Sequence, residues 1–530
     1  MKAFAALYAD LDATTRTGDK VALLAEYFRS APPEDAAWAL ALLTGKRPKR
    51  TVGAARLREW IGRIAGLPSW LVDECHDHVG DLAETASLLA AGDGGLDEPL
   101  AAIVERRVVA LAGMDDAQRE SVVTGTWAAL APAACLVYTK LITGGFRVGV
   151  ASGLVLRAVA AAAGVPVEAV ANRLAGAWEP TAETWLRATA AERGAEGADE
   201  DPGRPYPFAL AHPWDGFVDL GPIADWQIEW KWDGIRAQLI RPLDGPARLW
   251  SRGQEDVGGA FPDVLALARE LPPGTVLDGE LLAWSGETPL PFARLQKRLG
   301  RTKPSAAIQA AHPCTFLAYD CLVLAGEDLR AKPTAERRLV VDGLPLRRSP
   351  LVQAADWAAA GALRGTARER GVEGLMLKRR DAPYPRGRIT GQWWKWKIDP
   401  HRLDAVLLYA QAGNGRRAGL HTDYTLGVWT APPDDATRTL VPIAKAYSGL
   451  TDAELLEMDR WIRAHTTERF GPVRHLEPLH VFELAFEGVQ ISPRHKSGIA
   501  LRFPRITRWR KDKLPAEADT LAGARALITD

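Results

Sequence analysis

The sequence has few cysteines, no net charge and no long apolar run, and each absence excludes a class of protein. Only 4 of the 530 residues are cysteine and none form a Cys-x-x-Cys pair, so neither a disulfide framework nor a four-cysteine zinc site is expected. Lys+Arg and Asp+Glu both number 66, which removes any bulk attraction to nucleic acid or to an anionic membrane. Local basic clusters must therefore bind any polyanionic partner.

Targeting and membrane signals are also missing. Charges at Lys2 and Asp10 interrupt the first apolar stretch, and no run of about 18 uncharged apolar residues occurs. We therefore expect a cytoplasmic protein without a membrane partner. His76 and His78 lie next to Cys75, but no second cluster has metal-ligand spacing, so this segment is predicted to be a solvated helix end.

The length and the changes of pattern indicate three domains, with boundaries expected at 1–200, 205–400 and 401–530. Helical spacing, as in Leu57, Trp60 and Ile61, predicts an all-α N-terminal domain. Residues 192–207 are rich in Gly, Pro and acidic side chains, which is typical of a linker.

The pattern after the linker alternates between strands and helices, which predicts a mixed α/β domain. Its strands are expected at Trp226–Ile240, Ala247–Ser251, Thr275–Trp284, Cys314–Leu324, Gly374–Arg379 and Gln392–Ile398, with helices at Phe261–Leu271 and Ala335–Leu344. The last domain combines strands with one helix, Asp452–His465, which suits a five-stranded barrel of the oligonucleotide-binding (OB) type. Its strands are expected at Asp404–Gln411, Tyr424–Thr430, Thr439–Tyr447 and His480–Ile491.

Two stretches of the helical domain are candidates for phosphate binding. Residues 46–50, Lys-Arg-Pro-Lys-Arg, form a basic turn, although such a run is more often a solvated loop. Gly144, Gly145 and Arg147 lie at a helix junction, where bare backbone amides and an arginine suit a DNA backbone phosphate. A tight turn between two helices explains the same glycines equally well.

The stretch that organises the chain is Glu229 to Arg236, which reads Glu-Trp-Lys-Trp-Asp-Gly-Ile-Arg. Lys231 lies two residues before an Asp-Gly pair and five before Arg236. A lone strand lysine is ordinarily solvated, so the pattern needs partners. Downstream segments supply them in order: Ser251-Arg252-Gly253, Leu277–Leu281 with Glu280, Tyr319-Asp320, Val372–Lys378 with Glu373, Trp393–Lys397 with Lys395 and Lys397 on one face, and Arg510-Lys511-Asp512-Lys513.

This series resembles the six collinear motifs of ATP-dependent DNA ligases, within the covalent nucleotidyltransferase superfamily. The match spans about residues 205–515, and the helical region looks like the N-terminal DNA-binding domain of the larger ligases. The resemblance implies an ATP-grasp-like adenylation domain followed by a C-terminal β-barrel OB-fold. It also implies sealing of 5′-phosphate/3′-hydroxyl nicks in duplex DNA, in replication, repair or recombination, at the bacterial nucleoid. The chain is expected to be a monomer that closes around nicked DNA as a clamp.

The family reaction has three steps: adenylation of the lysine with release of pyrophosphate, transfer of AMP to the 5′-phosphate, and attack by the 3′-hydroxyl with loss of AMP. Lys231 must attack the α-phosphate as a neutral amine, and nearby cations such as Arg236, Lys395 and Lys397 would favour that form. Glu280 and Glu373 would be costly in apolar strands unless they hold a cation, so the resemblance assigns them Mg²⁺ or Mn²⁺. Pairing with a buried arginine is the alternative for each glutamate.

The remaining predictions concern the nucleotide. Tyr319 would stack on adenine and Met376 would cover its other face, although both could be core residues. Glu229 would accept a hydrogen bond from the exocyclic amine of adenine, which favours ATP over GTP. Arg236 and Arg252 would bind ribose or phosphate, and Glu280 would also reach the ribose. Further phosphate contacts are expected from Arg252 on the 5′-phosphate of the nick, Arg388 on the nucleotide, Arg510 and Lys513 on the β- and γ-phosphates, and Arg494 on the DNA backbone.

Other readings remain open from sequence alone. An NAD-dependent ligase would carry a nicotinamide-binding segment and a four-cysteine zinc module, and neither is visible. An RNA ligase or an mRNA capping enzyme shares the lysine motif, but the long helical N-terminal domain and the Arg-x-Asp-Lys ending at Arg510–Lys513 resemble DNA ligases more. A non-catalytic DNA-binding scaffold would be expected to have lost some of the motif residues. Because Arg510 and Lys513 lie far along the chain from Lys231, the ligase reading also predicts a domain that closes over the nucleotide and then withdraws.

Overall fold

The computed structural model describes residues 1–14, 16–176, 178–191, 203–216, 218–385, 387–413, 419–447 and 449–528. The chain divides into two compact units. One comprises Met1–Gly164, Pro180–Leu186 and Pro400–Asp530, and the other comprises Val165–Glu179 and Arg187–Asp399. In the part of the chain that is described, no helix is long and apolar enough to cross a bilayer. The three expected domain boundaries remain a prediction.

The N-terminal region is helical, as predicted. Leu57, Trp60 and Ile61 are buried on one face of their helix, which confirms the helical spacing. Gly164 ends a helix with a φ of 67°, a left-handed conformation that glycine adopts without strain. The helices are α1 (Lys2–Ala13), α2 (Thr17–Ser30), α3 (Pro33–Leu43), α4 (Ala54–Ala65), α5 (Ser69–Val79), α6 (Leu82–Leu89), α7 (Leu100–Arg107), α8 (Asp116–Ala129), α9 (Pro132–Thr143), α10 (Ser152–Ala163), α11 (Val167–Arg173) and α12 (Ala182–Thr189).

The α/β region contains two sheets, and the functional residues lie on both. The first has the strand order β1-β10-β9-β2, and the second has the order β4-β3-β5-β7-β8 with β6 beside β5. The strands are β1 (His212–Pro213), β2 (Trp226–Trp232), β3 (Ile235–Arg241), β4 (Arg248–Ser251), β5 (Thr275–Ser285), β6 (Thr288–Pro289), β7 (Cys314–Leu324), β8 (Glu327–Asp328), β9 (Val372–Arg379) and β10 (Trp393–Lys397). The helices are α13 (Pro262–Leu267), α14 (Phe292–Gln296), α15 (Ala306–Ala311), α16 (Thr334–Asp342) and α17 (Trp357–Gly365).

Two expectations for this region need correction. The run Trp226–Ile240 is two strands, β2 and β3, in different sheets, because the chain turns at Asp233-Gly234. The linker is shorter than predicted at its C-terminal end, since Tyr206 exchanges two hydrogen bonds with Gln238 and Trp250 donates one to the carbonyl of Gly203. Residues 192–202 of the predicted linker lie outside the described residues.

The C-terminal region is rich in β-structure, which packs around a large apolar core and a second, smaller apolar cluster. Its helix α18 (Asp452–Ala464) begins at Thr451, which forms the capping box with Glu454. The run His480–Ile491 is two strands, β16 and β17, of different sheets. The strands are β11 (His401–Ala412), β12 (His421–Trp429), β13 (Leu440–Ala446), β14 (Thr466–Phe470), β15 (Val473–Leu476), β16 (Val481–Phe486), β17 (Gly488–Ile491), β18 (Ile499–Arg502) and β19 (Arg505–Trp509), followed by the short helix α19 (Leu521–Arg525). The described part of this region has more strands than the expected five. β14, for example, consists largely of exposed residues without apolar alternation, so its sequence does not indicate a strand.

Candidate active site

The alternation of side chains along β2 and β10 places the residues of the candidate site on one face of the sheet and the core residues on the other. On β2, Trp226, Ile228 and Trp230 belong to one apolar cluster, so Glu229 and Lys231 point to the opposite face of the sheet. On β10, Trp394 and Trp396 belong to the same cluster, which leaves Lys395 and Lys397 on the face of Lys231. The residues of β2, β9 and β10 on this face include Gln227, Glu229, Lys231, Met376, Lys378, Trp393, Lys395 and Lys397.

Glu373 reaches this face because β9 carries a β-bulge. Trp230 pairs with Leu375 and Trp232 pairs with Val372, so Lys231 alone lies opposite two residues of β9, Glu373 and Gly374. Leu375 points into the apolar cluster, and simple alternation would direct Glu373 there as well. The extra residue turns Glu373 toward the site instead.

Gly374 makes this bulge possible. Its φ is 134°, which side chains with a Cβ rarely adopt, and a Cβ there would lie 2.2 Å from the carbonyl oxygen of Trp396. The Glu373 carboxylate accepts a hydrogen bond from Lys231 and lies 3.2 Å from Nζ of Lys397. Burial alone would raise the pKa of Glu373, but Lys231 and Lys397 outweigh it and hold the pKa below its usual value.

Glu280 is the second carboxylate of the cluster. It lies on β5, opposite Arg236 of β3. Burial raises the pKa of Glu280 to about 8, against the opposing effect of Lys231 and Arg236 and with a contribution from Glu373. Gly234 admits this arrangement, since a Cβ there would lie 2.8 Å from Cγ of Glu280. A further cation beside Glu280 would stabilise the charged form of this buried carboxyl group.

The predicted basic residues surround the same point. The pKa of Lys395 is lowered by burial first, and then by the positive charges of Lys231, Arg388, Lys397 and Arg252. Arg252 and Arg388 are exposed and Lys395 is half-buried. The structure therefore brings these predicted residues to one cluster with both glutamates.

Arg236 has a partner that the sequence analysis missed. Asp278 is fully buried and holds the guanidinium at both Nε (3.1 Å) and Nη2 (2.6 Å). Arg236 also donates to the carbonyl of Ala209 and to the hydroxyl of Tyr384. Its charge is thus largely compensated, and its predicted contact with ribose or phosphate stays a prediction.

The residues predicted to bind adenine lie next to one another. Glu229 is buried, and its Oε1 accepts hydrogen bonds from Nζ of Lys378 (2.8 Å) and from Nε2 of Gln227 (2.7 Å). Nζ of Lys378 also lies 4.3 Å from the centre of the Tyr319 ring. Met376 is half-buried and pairs with Glu229 across the sheet. Lys378 therefore contacts both Glu229 and Tyr319. Its position in an apolar strand did not indicate this role.

The other predicted residues belong to the compact unit that comprises Met1–Gly164, Pro180–Leu186 and Pro400–Asp530, and they are described within that unit alone. Arg510 and Lys513 follow β19, and Arg494 lies in the turn between β17 and β18. Gly144 ends α9 in a left-handed conformation, so a backbone requirement accounts for this glycine. Gly145 and Arg147 are exposed in the loop that follows, and Nη1 of Arg47 donates to the carbonyl of Gly144. The two predicted basic stretches of the helical region thus lie side by side.

A strand lysine that faces two carboxylates and further cations in a two-sheet α/β fold is the arrangement expected of a covalent nucleotidyltransferase. The model of the ATP dependent DNA ligase domain matches residues 218–397, that of the DNA ligase N terminus matches 1–160, and that of the ATP dependent DNA ligase C terminal region matches 417–513. The chain belongs to the family of ATP-dependent DNA ligases. The expected activity and its dependence on ATP are confirmed at this level.

Individual relatives agree with this assignment. The chain is 33% identical to a probable DNA ligase of Koribacter versatilis, over 97% of this chain and 94% of the relative. It is 34% identical to a DNA ligase of Natronomonas pharaonis, over 84% of this chain and 82% of the relative. A solved structure described as Pmar-Lig_Pre has a TM-score of 0.59 at 15% identity, covering 96% of this chain and 99% of that chain, which supports the shared fold.

Proposed function

We propose that this protein seals 5′-phosphate/3′-hydroxyl nicks in duplex DNA through an AMP group carried on Nζ of Lys231. The observation that supports this role best is the pair formed by Lys231 and Glu373, with Lys397 at the same carboxylate. In the first step an N–P bond forms between Lys231 and the α-phosphorus of ATP. The bond to the β-phosphate breaks, pyrophosphate leaves, and the amine loses a proton.

Nζ of Lys231 donates a hydrogen bond to Glu373, so adenylation requires that this contact be broken to free the amine. Glu280 and Glu373 suit a divalent cation, because Mg²⁺ takes one or two carboxylates together with phosphate oxygens. Burial raises the pKa of Glu280 to about 8 despite Lys231 and Arg236, so a further cation would stabilise its charged form. Glu280 and Glu373 would hold Mg²⁺ or Mn²⁺, which would supply positive charge to the phosphates of ATP.

The pairing of Glu229 supports a choice of adenine. Its Oε1 accepts hydrogen bonds from Lys378 and Gln227, and its Oε2 would accept one from the exocyclic amine of the base. Guanine presents a carbonyl oxygen at the corresponding position, and two acceptors repel. Tyr319 and Met376 would cover the faces of the ring.

Lys395, Lys397, Arg252 and Arg388 suit the phosphates of ATP, and Arg252 then suits the 5′-phosphate of the nick. Arg510 and Lys513 suit the β- and γ-phosphates. Since these two belong to the other compact unit, we propose that the OB region closes on the nucleotide for adenylation and withdraws before DNA enters. The protein would act as a monomer that then closes around nicked DNA as a clamp.

DNA binding is assigned to two exposed surfaces. The first is formed by residues 46–50 with Gly145 and Arg147, where exposed amides and cations suit backbone phosphates. The second includes Arg494 and the segment Arg502-Phe503. Phe503 is 67% exposed and has a φ of 52°, and a bulky residue held in that strained conformation at the surface indicates a contact surface.

Transfer of label tests this proposal. The full chain is incubated with α-labelled ATP and a divalent cation, and the labelled protein is then given nicked DNA or nicked RNA. We expect label on the protein, its transfer to DNA, and sealing, with GTP giving no label. Lys231→Ala should form no adduct, whereas Lys332→Ala, an exposed lysine paired with Glu327 in the same unit, should behave as the unmodified protein. A labelled Lys231→Ala adduct, or sealing of RNA alone, would overturn the proposal.

A further inference from the structure

Asp404 of β11 joins the two cations that follow β19. Its Oδ2 accepts a hydrogen bond from Nη1 of Arg510 (2.8 Å) and another from Nζ of Lys513 (2.7 Å). The Asp404 side chain is only 10% exposed. Because both nitrogens bind the same oxygen, they can lie no further apart than two hydrogen-bond lengths.

The backbone of Asp404 is fixed by its neighbours. Its N–H donates to Oδ2 of Asp519 (2.7 Å), and the N–H of Asp519 donates to the carbonyl of Asp404 (2.9 Å). In the sheet, Asp404 pairs with Glu483 of β16. Its Oδ1 is buried without a hydrogen-bond partner among the described residues, so the carboxylate gives its strong bonds to the two cations alone.

Two cations at this separation repel each other, and a carboxylate between them offsets the repulsion. Arg510 is also held on its other edge, where Nε and Nη2 donate to Asp512. Its guanidinium is therefore clamped between two carboxylates, while Lys513, at the end of a flexible side chain, depends on Asp404 for its place. Neutral replacement of Asp404 would let the ammonium move away from the guanidinium.

We propose that Asp404 is a positioning residue that holds Arg510 and Lys513 side by side as one binding unit for adjacent phosphate groups of ATP. This inference rests on the proposed function, in which the pair binds the β- and γ-phosphates. Asp404 touches neither the nucleotide nor the reacting atoms and acts only through the two cations. Its effect is therefore confined to the adenylation step.

Asp404→Asn in the full chain tests this role, because asparagine keeps the shape and removes the charge. We expect lysine adenylation at low ATP to slow by about tenfold, mainly through a higher KM for ATP. Sealing of a nick that already carries AMP should stay within about twofold, since that step does not use the triphosphate. This second assay also reports whether the variant is folded, so equal losses in the two assays would overturn the inference.

Two reference variants separate the possible outcomes. Asp459→Asn removes another buried carboxylate of the same region, which holds His421 and Arg463, and it should not change the KM for ATP. Arg510→Met should slow adenylation, and adding Asp404→Asn to it should cost less than Asp404→Asn costs alone, because Asp404 then positions only Lys513. If Arg510→Met has no effect, the proposed phosphate role itself fails. If Arg510→Met slows adenylation and Asp404→Asn does not, only the present inference fails.

Discussion

Lys231 and Glu373 face each other because β9 has one more residue than β2 at this point. The additional residue, Gly374, has a φ of 134° and leaves no room for a side chain. Without the bulge, Glu373 would follow the alternation of Leu375 and point among the tryptophans of the apolar cluster. Gly374 therefore allows the carboxylate of Glu373 to contact Lys231, so we assign this glycine to the candidate active site.

Gly374→Ala should separate these two residues. The new Cβ would lie 2.2 Å from the carbonyl oxygen of Trp396 and 2.8 Å from Cα of Lys397, so β9 and β10 must move apart or the bulge must collapse. We expect loss of lysine adenylation, and a free energy of unfolding lowered by about 1–3 kcal/mol from backbone strain. Urea unfolding and label transfer from ATP measure the two effects.

Gly365→Ala is the matched control for that variant. Gly365 lies in α17, and a Cβ there meets nothing within 4 Å. Alanine favours a helix over glycine, so this variant should be as stable as the unmodified protein or slightly more stable. Normal adenylation by Gly374→Ala would contradict the importance of the bulge.

Glu280 should make stability depend on pH in an unusual direction. Burial raises its pKa to about 8, so below that pH the folded protein keeps a proton that the unfolded chain loses near the ordinary value. Stability from this group is therefore greatest at low pH and is lost as the pH rises toward 8. Glu280→Gln should remove the penalty, so its stability relative to the unmodified protein should increase between about pH 6 and about pH 8.5.

Glu373→Gln should show the opposite effect on stability. Urea unfolding at about pH 6 and about pH 8.5, without a divalent cation, measures the free energy of unfolding of both variants. The pKa of Glu373 is lowered, so its stabilising ion pairs are present above the ordinary carboxyl pKa and are lost only in acid. This variant should lose stability at both pH values, and slightly less at about pH 8.5, because the charge of Glu373 contributes to the raised pKa of Glu280. A constant difference for Glu280→Gln would show that its carboxyl group is already ionised at about pH 6.

The sequence predicts the direction of side chains correctly where a strand is regular. Lys395 and Lys397 were placed on one face by alternation alone, and the tryptophans between them are buried as that alternation requires. The turn at Asp233-Gly234 was missed because apolar residues continue through it from β2 to β3. The partners of Arg236 and Glu229 were missed for a different reason. Asp278 and Lys378 lie in apolar strands, and only the pairing of distant strands reveals what they contact.

Arg510→Ala should affect the two halves of the reaction unequally. If Arg510 binds the β- or γ-phosphate, its loss slows lysine adenylation by about tenfold or more, as expected for a charge-assisted contact. Sealing of a pre-adenylated nick needs no triphosphate and should change much less. Rates of the two steps, measured separately, check this, and equal losses would contradict a domain that closes only for adenylation.

Arg147→Ala should weaken binding to nicked DNA in a way that depends on salt. Arg147 is exposed in the loop after α9, next to the basic residues 46–50, and a contact with one phosphate would release about one counterion. The slope of log affinity against log salt concentration should therefore fall by about 0.9. Arg29→Ala, an exposed arginine of α2 paired with Glu26, is the matched control and should leave the slope unchanged. Equal slopes for Arg147→Ala and the unmodified protein would exclude this loop from the DNA-binding surface, because a direct phosphate contact cannot be lost without changing the number of ions released.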